Sequence, residues 1–580
     1  MNFIPNQAAT NLSLVHLRQL DVDQSLTLAT WLCTAAIGLA ACTAAIHANG
    51  WALSAVPFVV AQALSVTAIA NLLIGYWSRA LSTSSTVTRF FLLALLAAWI
   101  AVATVMTSTA FGLHDEIYSW NLWAIEHWQR KPYDLYYTQA SYPQLFSYWL
   151  SSIYGAQGGF INQTTARFAS SLPSLLLITC AVALWRSNLT KRHALAAGAL
   201  SVWMVLRTWP DLRLGYADPL MSAQLAVSLL CVLLYLSNKR LQWWIMAVAA
   251  ATLAGLTKQP AVLWACGGLP LLALIGCWRR RWPLSSVVIA CVGAVIVAFY
   301  TFFVMSDITN NGGVFARALG ERGVLGTLIH SANRYLVRRP DILFVLLLSW
   351  WLARRDFMLH ILWWLALAPM IGLWFTLGSY EMRQGLHVIW WAGLLALAGL
   401  NIRWDVDTPI RKCRSHAQHW RPLISSIATV LILAAVIPGW AARSGFQFKD
   451  GQQMAFIQQM GGRQNASTVF EQIVTGQKRV FTTSNYSWGL FYGRTPVFRA
   501  GHNGDAATVT SLRDLLLSQH ADYAISSGDY AYGPYSVLLL KLAHDCPLAL
   551  PLEIQSRDDR YQVFRIDQPQ LKDCLIRDGS

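Results

Sequence analysis

Charged residues are scarce in this 580-residue chain: Asp, Glu, Lys and Arg make up 12% of it, while hydrophobic residues make up 55%. A soluble protein of this length would carry roughly twice that charged fraction. The scarcity excludes an ordinary soluble domain. The 27 Trp and 20 Tyr fit the aromatic belts that form at the two surfaces of a membrane. We therefore expect a polytopic α-helical membrane protein.

Several patterns that indicate other protein classes are also missing from the sequence. It has no internal repeat, no Cys/His spacing of a zinc site, no P-loop and no dinucleotide motif. The net charge is +16, but the basic residues lie in short loops between apolar runs. There they orient helices, so we expect no nucleic-acid partner. The first apolar run begins near Leu26 without the order of a cleaved signal peptide, which predicts a retained helix.

Apolar stretches of spanning length recur through the first three quarters of the chain and predict about 13 transmembrane helices. Lys and Arg concentrate in alternate short loops, and that side should be cytoplasmic. We expect a bacterial inner (plasma) membrane protein with its N-terminus inside. The predicted stretches are 26–46, 52–77, 89–110, 168–186, 194–207, 218–236, 243–257, 260–278, 284–305, 341–353, 358–377, 385–400 and 422–440.

The predicted domains follow from this alternation. Residues 1–88 form an N-terminal segment with two helices, and 89–442 form the main membrane module. Within that module the loops 111–167 and 306–340 should lie outside the cytoplasm.

From residue 443 to 580 the composition becomes polar, and strand and helix signals alternate. Lys478 to Thr483, Asp522 to Ser526 and Tyr561 to Ile566 read as strands, and Val509 to Gln519 reads as a helix. The tail should form an extracytoplasmic α/β domain. Its only two cysteines, Cys546 and Cys574, could form a disulfide in an oxidising compartment.

The most informative stretch is Phe111 to Trp123, which begins where an apolar run ends. Its two acids, Asp115 and Glu116, should sit about one turn beyond the hydrocarbon edge. Carboxylates there are costly unless water, a cation or a substrate meets them. Asp115 is the candidate catalytic base, with an N-cap as the alternative. Glu116 should orient or support it, and a divalent metal on the two acids stays open.

The residues after the acid pair show helical spacing, from Ile117 through Trp120 to His127. This spacing predicts an amphipathic helix lying in the membrane interface. Tyr142 opens a second aromatic segment. His114 and His127 are either ligands or bases, or polar aromatic residues at the interface.

Further charged residues mark the ends of later helices on the same predicted side. Asp218 is either an N-cap or a second site acid, and Lys258 either snorkels or meets a phosphate. Arg383 either pairs with Glu381 or binds a lipid phosphate. Arg213 is a further phosphate-binding candidate. The candidates for the acceptor cavity are His114, Trp120, Tyr142, Asp211 and Tyr380.

The order of these features resembles the GT-C glycosyltransferases that use polyprenyl-phosphate sugars. It is most similar to protein O-mannosyltransferases and to the aminoarabinose transferases of lipid A, over roughly residues 89–400. The features are the acid pair, Tyr-Pro-Gln-Leu-Phe-Ser-Tyr-Trp ending at Trp149, Tyr-Ala-Asp-Pro ending at Pro219, Leu-Thr-Lys-Gln-Pro ending at Pro260, and Tyr-Glu-Met-Arg ending at Arg383.

The resemblance implies a GT-C-like fold and a role for each matching residue. Asp115 matches the catalytic acid of the first outer loop, and Asp218 matches the acid of the second. Lys258 and Arg383 fall where the family places cations near the donor phosphate. The chain departs from the family where Tyr142-Pro-Gln-Leu replaces Lys-Pro-Pro-Leu, and where two helices precede the expected first core helix.

The predicted function is transfer of a sugar from a polyprenyl-phosphate donor to an extracytoplasmic glycan, lipid or protein, with inversion. Besides membrane lipids, the partners are that donor and that acceptor. A lipid or polysaccharide transporter is the alternative, and it would place charges in mid-helix and use repeated halves. A non-catalytic envelope protein is a third reading.

Overall fold

The computed structural model describes most of the chain, and it divides the chain into two compact units. The first comprises Met1–Val105, Tyr137–Ala156 and Ala169–Phe446, and the second comprises Met106–Tyr136, Gln157–Phe168 and Gln447–Ser580. The described residues are 22–108, 111, 116–130, 142–185, 191–280, 282–304, 313–376, 382–401, 450–463, 465–483, 485–499, 506, 508–527 and 534–574.

The first unit is helical, and each of the twelve apolar stretches predicted up to residue 400 coincides with a helix; the thirteenth, 422–440, lies outside the described residues. Eight helices in the described part of the chain are long and apolar enough to cross a membrane. Its helices are Gln24–Ala48, Ala55–Ala70, Ser78–Thr83, Thr86–Ser108, Leu145–Gln157, Leu172–Trp185, Lys191–Leu212, Ala217–Asn238, Leu241–Thr257, Leu269–Arg280, Ser285–Phe299, Gly313–Ala332, Pro340–Ala353, Phe357–Leu362, Ala368–Thr376 and Leu386–Asn401.

The Ala217–Asn238 helix is the centre of this unit, and it is buried from Ala217 to Leu236. A helix that is apolar on every face fits only inside a larger assembly of helices. It packs against Leu172–Trp185, Leu241–Thr257 and Leu386–Asn401. Its burial fixes the position of whatever its first turn carries.

Two segments predicted as breaks between spans have defined structure. The Leu241–Thr257 helix ends because Lys258 is extended, with φ −161° and ψ 148°, and a short 3₁₀ turn then begins at Gln259 with Pro260. A proline is tolerated there because its missing N–H would have no partner in a first turn. The 306–340 segment, predicted as a loop, contains the Gly313–Ala332 helix, which is broken at Gly323 with φ 65°.

The second unit contains the predicted α/β domain. A five-stranded sheet has the order β2-β1-β3-β5-β4, with β1 parallel to β2 and β3, and β5 antiparallel to β3 and β4. The strands are β1 Val480–Thr482, β2 Val497–Arg499, β3 Tyr523–Ser527, β4 Leu552–Gln555 and β5 Tyr561–Arg565. β1, β3 and β5 confirm the predicted strands, whereas β2 and β4 were not predicted.

Helices cover this sheet and close its apolar core. Phe481, Leu512, Leu539 and Phe564 lie in one buried cluster of strand and helix residues. Cys546 and Cys574 form a disulfide at the edge of that cluster. The helices of the second unit are Asn121–Gln129, Thr164–Ala169, Gly451–Gln459, Ala466–Thr475, Asn485–Phe491, Val509–Ser518, Pro534–Asp545 and Gln568–Asp573.

The second unit also includes part of the first predicted outer loop. Residues 106–136 and 157–168 cluster with the C-terminal sheet rather than with the helical unit. The Asn485–Phe491 helix packs on the π-helical turn Glu116–Trp120. The turn that carries Glu116 is therefore built together with the α/β domain.

Candidate active site

Asp218 and Lys258 form a buried ion pair in the helical unit. Asp218 lies in the first turn of the Ala217–Asn238 helix, and Lys258 is the C-cap of the Leu241–Thr257 helix. Lys258 Nζ donates to Asp218 Oδ1 at 2.6 Å, and the two side chains are 5% and 1% exposed. The N-cap alternative for Asp218 is wrong because the cap position is Tyr216. The snorkelling alternative for Lys258 is wrong because its ammonium is buried.

This pair has unused hydrogen-bonding capacity close to it. Asp218 Oδ2 has no hydrogen-bond partner among the described residues, and neither has either ring nitrogen of His387. His387 is 1% exposed and lies within electrostatic range of both Asp218 and Lys258. Buried polar atoms normally find partners. The three side chains therefore form a polar cluster at the start of two buried helices.

Arg383 lies beside the same helix start. Its guanidinium carbon is 4.1 Å from the centre of the Tyr216 ring, two residues before Asp218. A guanidinium over an aromatic face is held by the ring quadrupole while its N–H groups stay directed outward. The alternative partner Glu381 and the acceptor candidate Tyr380 lie outside the described residues.

The remaining candidates of the helical unit are spread around the Lys191–Leu212 helix end. Asp211 is half-buried in its last turn, and its carbonyl accepts from Leu214. Arg213 is exposed. Sequence reasoning missed Arg207, whose Nε lies 3.2 Å from Asp341 Oδ2. A basic residue directly after the apolar run of this helix was the available signal.

Glu116 has a different environment, in the second unit. Arg167 Nη1 donates to Glu116 Oε1 at 2.8 Å, and the side chains are 5% and 2% exposed. Arg167 Nε also donates to the Met106 carbonyl at 3.2 Å, and its guanidinium lies 5.1 Å from the Phe111 ring centre. Arg167 was considered only as a loop boundary in the sequence. One arginine thus fixes both ends of the 106–116 segment.

The predicted helix after the acids is confirmed, but its amphipathic character is wrong. Residues 119–127 are all buried, including His127, and Trp120 packs edge-to-face on Trp123 with ring centres 5.1 Å apart. Protein therefore covers both faces of this helix. Tyr142 is half-buried, and its carbonyl accepts from Gln144 at the start of the Leu145–Gln157 helix.

The remaining residues predicted for the acid-bearing loop are Asp115 and His114, and both lie outside the described residues. Within the described ranges no three His, Cys, Asp or Glu side chains come close enough to share a metal ion. Glu116 Oε1 is already bonded to Arg167. A metal on Asp115 and Glu116 stays a prediction.

The comparison with known families bears on the helical unit. Residues 143–305 match the family model of dolichyl-phosphate-mannose-protein mannosyltransferases, and they include Asp211, Arg213, Asp218 and Lys258. No curated protein matches the chain. The match supports the predicted similarity to the GT-C superfamily. Residues 143–305 are thus similar to this mannosyltransferase family, and the match supports a membrane glycosyltransferase with a polyprenyl-phosphate sugar donor.

Proposed function

We propose that the protein transfers a sugar from a polyprenyl-phosphate donor to an acceptor outside the cytoplasm, with inversion at the anomeric carbon. The observation that carries the proposal is the buried Asp218–Lys258 pair, at 2.6 Å, inside the segment that matches the mannosyltransferase family. An ion pair is costly to bury and does not by itself stabilise a fold. Its presence where one buried helix begins and another ends favours a role in the chemistry.

In the proposed reaction, an acceptor hydroxyl or amine attacks the anomeric carbon of the sugar. The new bond forms as the bond between that carbon and the phosphate oxygen breaks, and the polyprenyl phosphate leaves with the electron pair. Asp115 takes the proton of the acceptor as general base. Glu116, held by Arg167 at 2.8 Å, supports the adjacent Asp115 through the main chain.

Negative charge on the leaving phosphate requires cations that are already in place. Lys258 and Arg383 are the proposed donors to that phosphate, with Arg213 as a third. An ammonium has three N–H donors, of which Asp218 takes one. Asp218 therefore fixes the direction of the Lys258 side chain, and Tyr216 does the same for the Arg383 guanidinium. Fixed cations lose little entropy when the phosphate arrives.

We assign the acceptor side to Trp120, Tyr142 and Asp211, with His114 and Tyr380. The acceptor is an envelope glycan, lipid or protein, since a lipid-linked donor serves reactions outside the cytoplasm. The disulfide between Cys546 and Cys574 supports an oxidising compartment for the C-terminal domain. The bacterial inner membrane, with the N-terminus inside, is the proposed location.

The test uses purified full-length protein in liposomes, with radiolabelled polyprenyl-phosphate mannose and an envelope extract as acceptor. Wild-type protein should release polyprenyl phosphate and move label into the acceptor fraction. Asp115→Asn should lose at least about a hundredfold in rate, since general base catalysis contributes 10²–10⁴. Asp558→Asn, an exposed change in the tail, is the matched control and should keep the wild-type rate.

Two outcomes would overturn the proposal. Retained transfer by Asp115→Asn would remove the assignment of the base. Movement of intact donor lipid across the bilayer, without cleavage of the phosphate–sugar bond, would favour the transporter. Failure with mannose and success with another polyprenyl-phosphate sugar would support the reaction and change only the sugar.

A further inference from the structure

A glycine of the C-terminal α/β domain lies against the turn that carries Glu116. Gly489, in the Asn485–Phe491 helix, lies so close to Ile117 that a Cβ there would be 3.0 Å from Ile117 Cγ2 and 3.2 Å from the Ile117 carbonyl oxygen. Any larger residue must push the turn or the helix away. Ile117 directly follows Glu116, so the helix contacts the main chain that carries the acids.

The Gly489 segment is itself braced from inside its own domain. Gln452 Nε2 donates to the carbonyls of Gly489 and Tyr492, both at 3.2 Å, and Gln452 Oε1 accepts from Arg494 Nε at 2.8 Å. Arg494 also pairs with Asp450, the N-cap of the Gly451–Gln459 helix. Gln452 is buried, so these hydrogen bonds are sheltered from water. The contact surface is therefore preformed.

The other end of the acid-bearing helix is held in the same way. Gly493 has φ +78°, a left-handed conformation that favours glycine, and its Cα faces the Gln129 amide and the Phe160 ring. Asp450 forms an isolated β-bridge with Asn162. Residues 116–129 therefore contact the C-terminal domain near both their ends, while Arg167 fixes Glu116 from a third direction.

We infer that the C-terminal domain is a positioning element for Glu116, with Gly489 as the positioning residue that sets the position of the Glu116–Trp120 turn. The inference rests on the proposed function, because it takes Asp115 as the base. Glu116 lies in this turn, and the proposed function takes it as the support of the neighbouring Asp115, so a shift of the turn moves a group that acts on the base. A displacement near 1 Å can cost about a hundredfold in rate.

The test is a graded series at Gly489 in the full-length protein. Gly489→Ala should lower kcat, and Gly489→Val should lower it by about tenfold or more, because misplacement of a base acts on the chemical step. The KM for the donor should change less than about twofold, since the proposed donor contacts lie in the other unit. Adding Ile117→Ala to Gly489→Ala removes the Cγ2 contact and should restore part of kcat.

The matched control is Gly476→Ala in the same domain. Its Cβ would also be crowded, at 2.8 Å from the Gln472 carbonyl oxygen, but its other close contact is with the Lys478 side chain. It should lower the melting temperature as much as Gly489→Ala while kcat stays at the wild-type value. Equal loss of kcat in both variants would overturn the inference in favour of a general stability effect.

A second measurement does not depend on activity. Hydrogen–deuterium exchange should become faster in the peptide covering 116–129 of Gly489→Val and stay unchanged in the peptide covering β1. Unchanged exchange over 116–129, or wild-type kcat in Gly489→Val, would overturn the positioning role. Absence of transfer by the wild type would instead overturn the proposed function, and the exchange result would still test the contact.

Discussion

The two units each bury one carboxylate against one cation, and they do so in different ways. In the second unit, Arg167 spreads its donors over Glu116 and a main-chain carbonyl and rests on an aromatic ring. In the helical unit, Lys258 meets Asp218 while the second carboxylate oxygen has no hydrogen-bond partner in the described residues. The first arrangement suits a structural role that holds the Glu116 turn in place. The second leaves a carboxylate oxygen that can accept a hydrogen bond from a ligand.

The difference follows from the chemistry of the two cations. A guanidinium presents five donors in a rigid plane and can bind several acceptors at once, whereas an ammonium is a point charge on a flexible stem. An ion pair whose polar atoms have hydrogen-bond partners resists rearrangement. A pair with an unused oxygen can exchange partners when a phosphate or an acceptor hydroxyl arrives. Both pairs are costly to bury, so removing one partner should reveal their roles.

The largest effect should come from breaking the pair in the helical unit. Asp218→Leu leaves the Lys258 ammonium buried without its acid, which typically costs about 3–5 kcal/mol. Combining it with Lys258→Met should recover most of that stability, because two apolar side chains can replace a buried pair. Sugar transfer should be lost in both. Thermal unfolding in detergent and the transfer rate are the two measurements.

One outcome would contradict a role of this pair in transfer. If the Asp218→Leu, Lys258→Met double variant retained transfer, the pair would serve the fold and not the reaction.

The next largest effect should come from breaking the Arg167–Glu116 pair. Arg167→Met leaves Glu116 buried without the Arg167 guanidinium, and we expect a loss of about 3 kcal/mol. Arg167→Lys keeps the charge but cannot donate to Glu116 and Met106 in the same geometry, so it should lose about half as much. Unfolding curves of the two variants give the comparison. Equal losses in both would show that geometry, not charge, carries the whole contribution.

Removing the disulfide tests whether the two units unfold separately. Replacing Cys546 and Cys574 by Ser should destabilise the C-terminal domain by roughly 2–3 kcal/mol, within the range for a bridge of this span. Limited proteolysis should then cut the sheet-bearing segment while the helical unit stays intact. Cleavage in both units at the same rate would mean that they unfold together.

The smallest effect should be at His387. Its imidazole is buried, and both ring nitrogens are unpartnered among the described residues. His387→Leu removes polar atoms that pay desolvation without a hydrogen bond, so unfolding stability should stay within about 1 kcal/mol of wild type or increase. A transfer rate that falls while stability holds would give His387 a part in the site. Unchanged transfer would make it a space-filling residue.

Several elements were readable from the sequence because their signals are local. The apolar stretches gave the positions of the long apolar helices up to residue 400, since a long apolar run has few alternatives in a membrane, whereas the Gly313–Ala332 helix was predicted as a loop. In the tail, β1, β3 and β5 were readable from alternating apolar residues. β2 and β4 were not predicted, because pairing with neighbouring strands decides them.

The site was only partly readable. Glu116, Asp218, Lys258 and Arg383 stood out because charges at the ends of apolar runs are rare. Arg167, His387 and Arg207 did not stand out, because no residue near them in the sequence indicates which side chains they meet. The helix after Glu116 was predicted to be amphipathic, yet it is buried on both faces, because segments distant in the sequence also pack around it.

The sequence by itself determined where the long apolar helices run, that the tail is an α/β domain and which cysteines can pair, because apolar length, period and composition act over neighbouring residues. Only the tertiary structure decided which acid meets which cation. Glu116 and Arg167 are 51 residues apart, and Asp218 and Lys258 are 40 apart. Such partners are chosen by how helices pack and by the cost of leaving a charge buried alone.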